Sequence, residues 1–137
     1  MGYEDKMRNH FKVKYFRDGS KKNQSKNKLQ CYFMYVKESK AIKIGVSVDP
    51  INRLSSIQTG NPHKVKLLGG LHKGKGKNYE DLLHQYLFEY RMEGEWFRAE
   101  EEVLEYVNFL IKYYSKGKKS KIISFEDFLK NHFNTSC

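Results

Sequence analysis

The chain has 137 residues, of which 39% are apolar, and a formal net charge of +10 at pH 7. This length suits one small domain with extensions. Because no run of roughly 18 apolar residues exists, we expect no membrane span. Two cysteines, Cys31 and Cys137, do not make a disulfide framework, and the opening residues lack the apolar core of a secretory signal. We therefore expect an intracellular protein in a reducing compartment.

The positive charge is concentrated at the two ends of the chain. Residues 1–30 carry a net charge of +6 and residues 112–137 carry +4, whereas residues 31–111 are neutral overall. Basic tails attract polyanions at long range, although lysine-rich ends can also serve solubility alone. The sequence divides into a basic N-terminal extension over 1–28, a central domain over 29–114, and a basic linker with a short C-terminal helix over 115–137.

The first predicted elements are strands. Residues 11–15 alternate apolar and cationic side chains, which predicts a short strand or an arm that orders on nucleic acid. Residues 18–28 contain no apolar side chain and predict a linker or exposed loop. The apolar run over 29–36 predicts a strand buried on both faces. Residues 41–47 alternate, which predicts an antiparallel partner with one packed face and one working face. The packed face would hold Ile42, Ile44 and Val46, and the working face Ala41, Lys43, Gly45 and Ser47.

The next segments predict helices and a third strand. Asp49 and Pro50 have the residue types of a helix N-cap and first turn, and Gly60 stands where a left-handed C-terminal residue belongs. Residues 65–71 predict the third strand, and 73–77 a basic loop. Asn78 would cap a second helix.

Two further helices complete the predicted fold. One spans residues 100–113, and Ser124 would cap a last short helix. The order of these elements predicts an α/β fold: a small three-stranded antiparallel sheet flanked by helices, with basic N- and C-terminal extensions.

Several polar residues recur at spacings that ordinary packing does not require. They are Tyr32, Lys43 before Ile44-Gly45, Arg53, Glu80 with His84, and Gly94-Glu95-Trp96-Phe97. A site that cleaves phosphodiesters needs these chemical types. It must supply a proton acceptor, cations that face the phosphate, and a carboxylate that holds a divalent metal.

These segments together resemble the catalytic domain of the GIY-YIG nuclease superfamily, in the branch common in phages and large viruses. The matching stretches are Tyr32, 42–47, 49–54, 58–62, 80–84 and 94–97, and the resemblance covers about half of the chain. It implies the GIY-YIG type of fold and a metal-dependent endonuclease that hydrolyses DNA phosphodiester bonds with Mg²⁺ or Mn²⁺.

The resemblance places Tyr32 at the nucleophilic step, as general base or as orienter of the attacking water. A phenol titrates near pH ~10, so it needs nearby positive charge to accept a proton at neutral pH. Lys43 on the adjacent strand could supply that charge. It stands where the name motif of the family has a second tyrosine, so the sequence leaves open which of the two acts as general base.

The remaining roles concern the phosphate and the metal. Arg53 would bind a phosphate oxygen through its planar guanidinium. Glu80 matches the carboxylate that holds the metal, with waters and phosphate oxygens completing the coordination. His84, one helical turn on, would contact the phosphate or relay a proton, or else be a structural hydrogen-bonding histidine. Glu95 would support the metal or be a surface residue.

The expected partner is DNA. Ser47 and the basic loop residues Lys73, Lys75 and Lys77 are the candidates for nucleic-acid contacts. The alternative is a catalytically inactive module of GIY-YIG fold that binds nucleic acid, and a third hypothesis is an enzyme that acts on RNA. Relatives often carry a separate DNA-recognition domain, and none is recognisable here, so we expect specificity to be low or to come from a protein partner. The oligomeric state stays open.

Overall fold

A computed structural model describes residues 28–116 and 121–133. The strand predicted over 11–15 and nearly all of the loop predicted over 18–28 lie outside these residues, and the three-part division of the chain stays a prediction. The strands are β1 (Gln30–Val36), β2 (Ala41–Ser47), β3 (Lys66–Gly70), β4 (Arg91–Glu93) and β5 (Trp96–Arg98). The helices are α1 (Pro50–Thr59), α2 (Gly76–Tyr86), α3 (Glu101–Tyr114) and α4 (Phe125–Phe133), with a 3₁₀ turn at Phe88–Tyr90. None of the described helices is long and apolar enough to cross a membrane.

The sheet has five strands in the order β3-β1-β2-β5-β4, and every neighbouring pair is antiparallel. The prediction of a three-stranded sheet is therefore wrong, although the α/β class is right. The missed strands, β4 and β5, have three residues each and flank Gly94, whose φ of +58° reverses the chain. Three residues are too few to show the period-two pattern by which a strand is predicted.

The two faces of β1 enter two different apolar clusters, which confirms its predicted burial on both sides. Cys31 and Phe33 join the larger cluster, which includes side chains of α2, α3 and α4. Tyr32, Met34 and Val36 form the smaller cluster, and Leu54 and Ile57 of α1 pack against it. The predicted alternation of β2 is also confirmed, because Ile42, Ile44 and Val46 all pack into the larger cluster.

Helix α1 begins as predicted and ends differently. The side chain of Asp49 accepts a hydrogen bond from the backbone N–H of Asn52 at 3.2 Å, and Pro50 is the first helical residue. Gly60, however, has φ −93° and not the predicted left-handed conformation. The Gln58 side chain organises this end of the helix, since it donates to the carbonyl of His63 at 2.9 Å and accepts from the N–H of Val65 at 2.8 Å.

Helix α2 begins at Gly76, two residues before the predicted cap Asn78. Its start is fixed by the residue before β1 and not by a capping side chain, because the N–H groups of Gly74 and Gly76 both donate to the carbonyl of Leu29. The predicted start of the last helix is confirmed: Ser124 Oγ accepts from the N–H of Asp127 at 3.1 Å.

The docking of α2 on β1 predicts that Gly76→Ala destabilises the protein. A Cβ at this position would lie 2.8 Å from the backbone carbon and oxygen of Leu29, so the helix would have to move away from the segment that leads into β1. We expect a loss of about 1–3 kcal/mol in the free energy of unfolding, measured with denaturant. Gly60→Ala is the matched control, because nothing lies within 4 Å of its Cβ. Equal stability of the two variants would contradict this account.

Candidate active site

The candidate site lies where β2 runs past the end of β5. The two strands pair only from Ala41 to Lys43, and within the described residues Ile44–Ser47 have no strand on that side. Two other groups satisfy the backbone of Ile44 there. Its N–H donates to the carbonyl of Glu95 at 3.0 Å, and its carbonyl accepts from Nε2 of His84 at 2.8 Å. We call this stretch of β2, Ile44–Ser47, the notch.

Tyr32 faces the notch from β1, directly opposite Gly45 of β2. The phenol lies over this glycine: a Cβ on Gly45 would be 2.6 Å from the Tyr32 hydroxyl and 2.8 Å from Oε1 of Glu95. Any larger residue would separate these two oxygens. Gly45 therefore lets the phenol of β1 and the carboxylate of the β4–β5 turn converge on one point.

The buried environment keeps Tyr32 in its neutral form. The side chain is 1% exposed, and this burial raises the pKa of Tyr32 to about 12. The charge of Arg53 acts to lower this pKa, whereas the charges of Glu95 and Glu80 raise it further. Arg53 is thus the cation that favours the ionised phenol, a role that the sequence had suggested for Lys43.

Lys43 is held on the same face of β2 by a carboxylate and an aromatic ring. Its Nζ donates to Oε1 of Glu95 at 2.8 Å, and the same nitrogen lies 5.6 Å from the centroid of the Trp96 ring. The side chain is only 15% exposed. A partly desolvated cation between a carboxylate and a π face is strongly positioned.

Arg53 projects from α1 and is exposed. None of the salt bridges within residues 28–116 and 121–133 involves its guanidinium. Helix α1 packs on the cluster that contains Tyr32, and the charge of Arg53 acts on the Tyr32 phenol. An uncompensated guanidinium beside a buried phenol is well suited to bind an anion such as a phosphate oxygen.

The carboxyl groups of Glu80 and Glu95 lie close enough to influence each other's pKa. Glu80, on α2, is 4% exposed, and burial raises its pKa. The hydrogen bond from Lys77 at 3.1 Å opposes this rise, while the contact with Glu95 adds to it. For Glu95, burial acts to raise the pKa as well, but the hydrogen bond and charge of Lys43 outweigh it and lower the pKa. The pair therefore holds a proton most readily on Glu80.

His84 has a clear structural contact. Because a carbonyl only accepts, Nε2 of His84 carries the hydrogen that it donates to Ile44. The ring also packs edge-on against Phe97, with centroids 5.0 Å apart. His84 thus anchors the notch to α2, and its charge when protonated acts on Glu95.

The four candidate nucleic-acid residues lie in different parts of the structure. Ser47 is 7% exposed, and its Oγ accepts from the N–H of Asp49, which orders the entry into α1. Lys73 and Lys75 are exposed in the loop before α2. Lys77 lies within α2 and not in that loop, and it pairs with Glu80 at 3.1 Å and with Asp81 at 3.3 Å.

The structure therefore brings Tyr32 and Glu95 together at Gly45, and Lys43 and Glu80 both interact with Glu95. His84 binds the carbonyl of Ile44 beside them, and the charge of Arg53 acts on Tyr32. Glu95, which sequence reasoning left between a metal role and a surface role, is thus the residue at which these groups meet. The signal that could have placed Glu95 is its position directly before a strand that pairs with β2 at Lys43. That pairing was hidden because β5 is so short.

The two carboxyl groups form a donor set that suits a hard divalent cation. Mg²⁺ and Mn²⁺ prefer oxygen ligands and commonly keep several waters, with one or two protein carboxylates. Within the described residues no group of three or more His, Cys, Asp or Glu side chains could hold a metal ion. A cation bound through Glu80, with Glu95 beside it, would therefore take its other ligands from water and substrate.

A comparison of the chain with protein-family models identifies a domain family. The model of the T5orf172 domain matches residues 29–111, which is more than half of the chain. This domain is phage-associated and is related to nuclease-like folds. The search of curated proteins and the search of solved structures each found no match.

The raised pKa of Glu80 predicts a pH-dependent gain in stability for Glu80→Gln in metal-free protein. A raised pKa means that the folded state binds this proton more tightly than the unfolded state, so wild-type stability falls as the pH rises through the folded-state pKa. The variant cannot ionise. Its stability relative to wild type, measured by denaturant unfolding with a chelator present, should be greater at pH 8 than at pH 4.

The control for this measurement is Asp81→Asn, which changes an exposed carboxylate that contacts the same Lys77. We expect no comparable pH-dependent gain from it. A pH-independent difference between Glu80→Gln and wild type would contradict a raised pKa for the buried Glu80.

Proposed function

This chain belongs to the T5orf172 domain family, and we propose that it is a metal-dependent endonuclease of GIY-YIG type that hydrolyses DNA phosphodiester bonds. The observation that supports this most is the meeting of the Tyr32 phenol and the Glu95 carboxylate at Gly45, with Lys43 bonded to Glu95. The Glu80 carboxyl interacts with Glu95, and the charge of Arg53 acts on Tyr32. These groups come from β1, β2, α1, α2 and the β4–β5 turn, and packing alone does not require five elements to supply interacting ionisable side chains.

The cations of this site would bind the scissile phosphate. Arg53 offers the planar fork that matches two phosphate oxygens, and it has no carboxylate partner to displace within the described residues. Lys43, on β2, would add a second positive charge. Both would stabilise the extra negative charge that develops on the phosphate in the transition state.

Tyr32 would orient the attacking water. With its pKa raised to about 12, the phenol is protonated at neutral pH and has a hydrogen to donate as well as lone pairs to accept. To act as general base it would need further positive charge beside it, because the effect of Arg53 does not overcome that of burial. The structure thus supports an orienting role for Tyr32 better than a proton-accepting one.

Glu80 would hold the metal, with Glu95 as a neighbouring carboxylate. The bound ion would polarise the phosphate and neutralise charge on the leaving oxygen. Burial raises the pKa of the Glu80 carboxyl, and since the metal binds the ionised form, metal binding should weaken as the pH falls.

The basic tails would add affinity without base readout. Their net charges of +6 over residues 1–30 and +4 over 112–137 suit contacts with backbone phosphates, which carry no sequence information. We propose that the enzyme acts inside the cell, and that any sequence specificity comes from a protein partner.

The proposal predicts that the protein nicks supercoiled plasmid DNA in the presence of Mg²⁺. Arg53→Ala and Glu80→Gln should each slow nicking by about 100-fold or more, since each removes charge stabilisation at the reacting phosphate. Asp81→Asn, which changes a neighbouring exposed carboxylate, should cleave as fast as wild type. DNA binding, measured by fluorescence anisotropy, should persist in Glu80→Gln. Equal nicking rates for wild type and Glu80→Gln would show that the catalytic assignment is wrong.

A second prediction concerns metal binding in the absence of DNA. Isothermal titration calorimetry with Mn²⁺ should show one site in wild type and Asp81→Asn, and none in Glu80→Gln. This measurement separates an enzyme from a module that keeps the fold and only binds nucleic acid. Unchanged Mn²⁺ binding in Glu80→Gln would remove Glu80 from the metal site.

A further inference from the structure

Strand β4 forms one edge of the five-stranded sheet, and all three of its residues, Arg91, Met92 and Glu93, are exposed. Within the described part of the chain its only paired strand is β5. A strand at an edge presents backbone N–H and C=O groups that can pair with another strand. The question is which strand this edge fits.

The sequence of β4 is complementary to itself in the antiparallel direction. The register of β4 against β5 shifts between Arg91 and Glu93, so the strand is irregular at Met92. If two copies meet antiparallel about a two-fold axis at Met92, Arg91 of each copy lies on the side of Glu93 of the other. Side chains that face each other across two antiparallel edges come close enough for such charge pairs to interact. Neither Arg91 nor Glu93 forms a salt bridge within residues 28–116 and 121–133.

Two large apolar side chains are exposed at β4 and just before it. Met92 is 51% exposed and Phe88, in the preceding 3₁₀ turn, is 66% exposed, and these are two of the four large exposed hydrophobic residues in the described structure. Met92 also borders two surface grooves, one lined in part by Tyr35 and Leu104 and the other by Ala41 and Trp96. Apolar groups at a symmetric contact would supply burial that three backbone pairs alone do not.

We propose that β4 is a homodimer interface at which two copies of this chain join their sheets edge to edge. The contact is isologous, because the same residues of each copy meet across the two-fold axis. The predicted strand over residues 11–15 is a poorer occupant of this edge. Its charged residues are Lys12 and Lys14, which match Glu93 but repel Arg91.

Dimerisation would also stabilise the hairpin that carries Glu95. Glu95 lies two residues beyond β4 in the β4–β5 turn, where the carbonyl of Gly94 accepts a hydrogen bond from Nε of Arg91 at 2.9 Å. Pairing on the outer edge of β4 would thus order both sides of a three-residue strand. This consequence bears on the candidate site, whereas the interface itself does not depend on the proposed nuclease activity.

The test reverses the charge of Arg91 or Glu93 singly and then exchanges the two charges in a double variant. The full chain is studied by sedimentation equilibrium at concentrations up to about 100 µM, a range in which a specific dimer forms. Wild type should be dimeric. Arg91→Glu and Glu93→Arg should each weaken the dimer by at least about tenfold, since each places like charges opposite one another twice. The double variant that carries both changes should regain the wild-type affinity, because its strand is again self-complementary.

Lys37→Glu, in the exposed turn between β1 and β2, is the control, since it changes the net charge by the same amount as Arg91→Glu away from β4. It should dimerise like wild type, and circular dichroism should show that all variants are folded. A wild type that stays monomeric would overturn the proposal, whether residues 11–15 or another protein covers the edge. Failure of the double variant to recover while both single variants dissociate would overturn the proposed pairing.

Discussion

The antiparallel pairing of Tyr32 with Gly45 is the contact on which the candidate site depends. A glycine opposite the tyrosine leaves room for the phenol to lie across β2, and the same space admits the carboxylate of Glu95. Because the pairing of β2 with β5 ends at Lys43, the next residues of β2 are accessible to α2. There His84 and Glu95 form hydrogen bonds with the backbone of Ile44. The paired strands β1 and β2 thus hold Tyr32 and Lys43 in place, and the stretch of β2 beyond β5 leaves space for the side chains of the site.

The electrostatics of the site divide it into a neutral and a charged part. Burial keeps Tyr32 protonated and favours a proton on Glu80, whereas Lys43 keeps Glu95 ionised. The Arg53 side chain is exposed to solvent. A buried carboxyl group that is costly to ionise contributes little to the stability of the folded protein, but it becomes favourable once a cation shares the site. Such an arrangement is typical of residues placed for function.

The sequence predicted the elements that local signals define. The strand pair β1–β2 and the starts of α1 and α4 follow from alternation and from capping by Asp49 and Ser124. The start of α2 and the end of α1 depend on contacts with the Leu29 carbonyl and on the side chain of Gln58, which no local pattern reveals. The contacts of Glu95 are also long-range. A resemblance predicted that Tyr32, Lys43, Arg53 and Glu80 share a site, but no local pattern showed that Glu95 joins them.

We propose that these side chains surround one phosphate and one metal ion. A crystal of the protein with a short DNA duplex and Mn²⁺, measured for anomalous scattering of manganese, tests it most directly. We predict an anomalous peak at the Glu80 carboxylate, with a backbone phosphate between the Tyr32 hydroxyl and the Arg53 guanidinium. DNA bound on another surface, with no manganese at Glu80, would contradict the account.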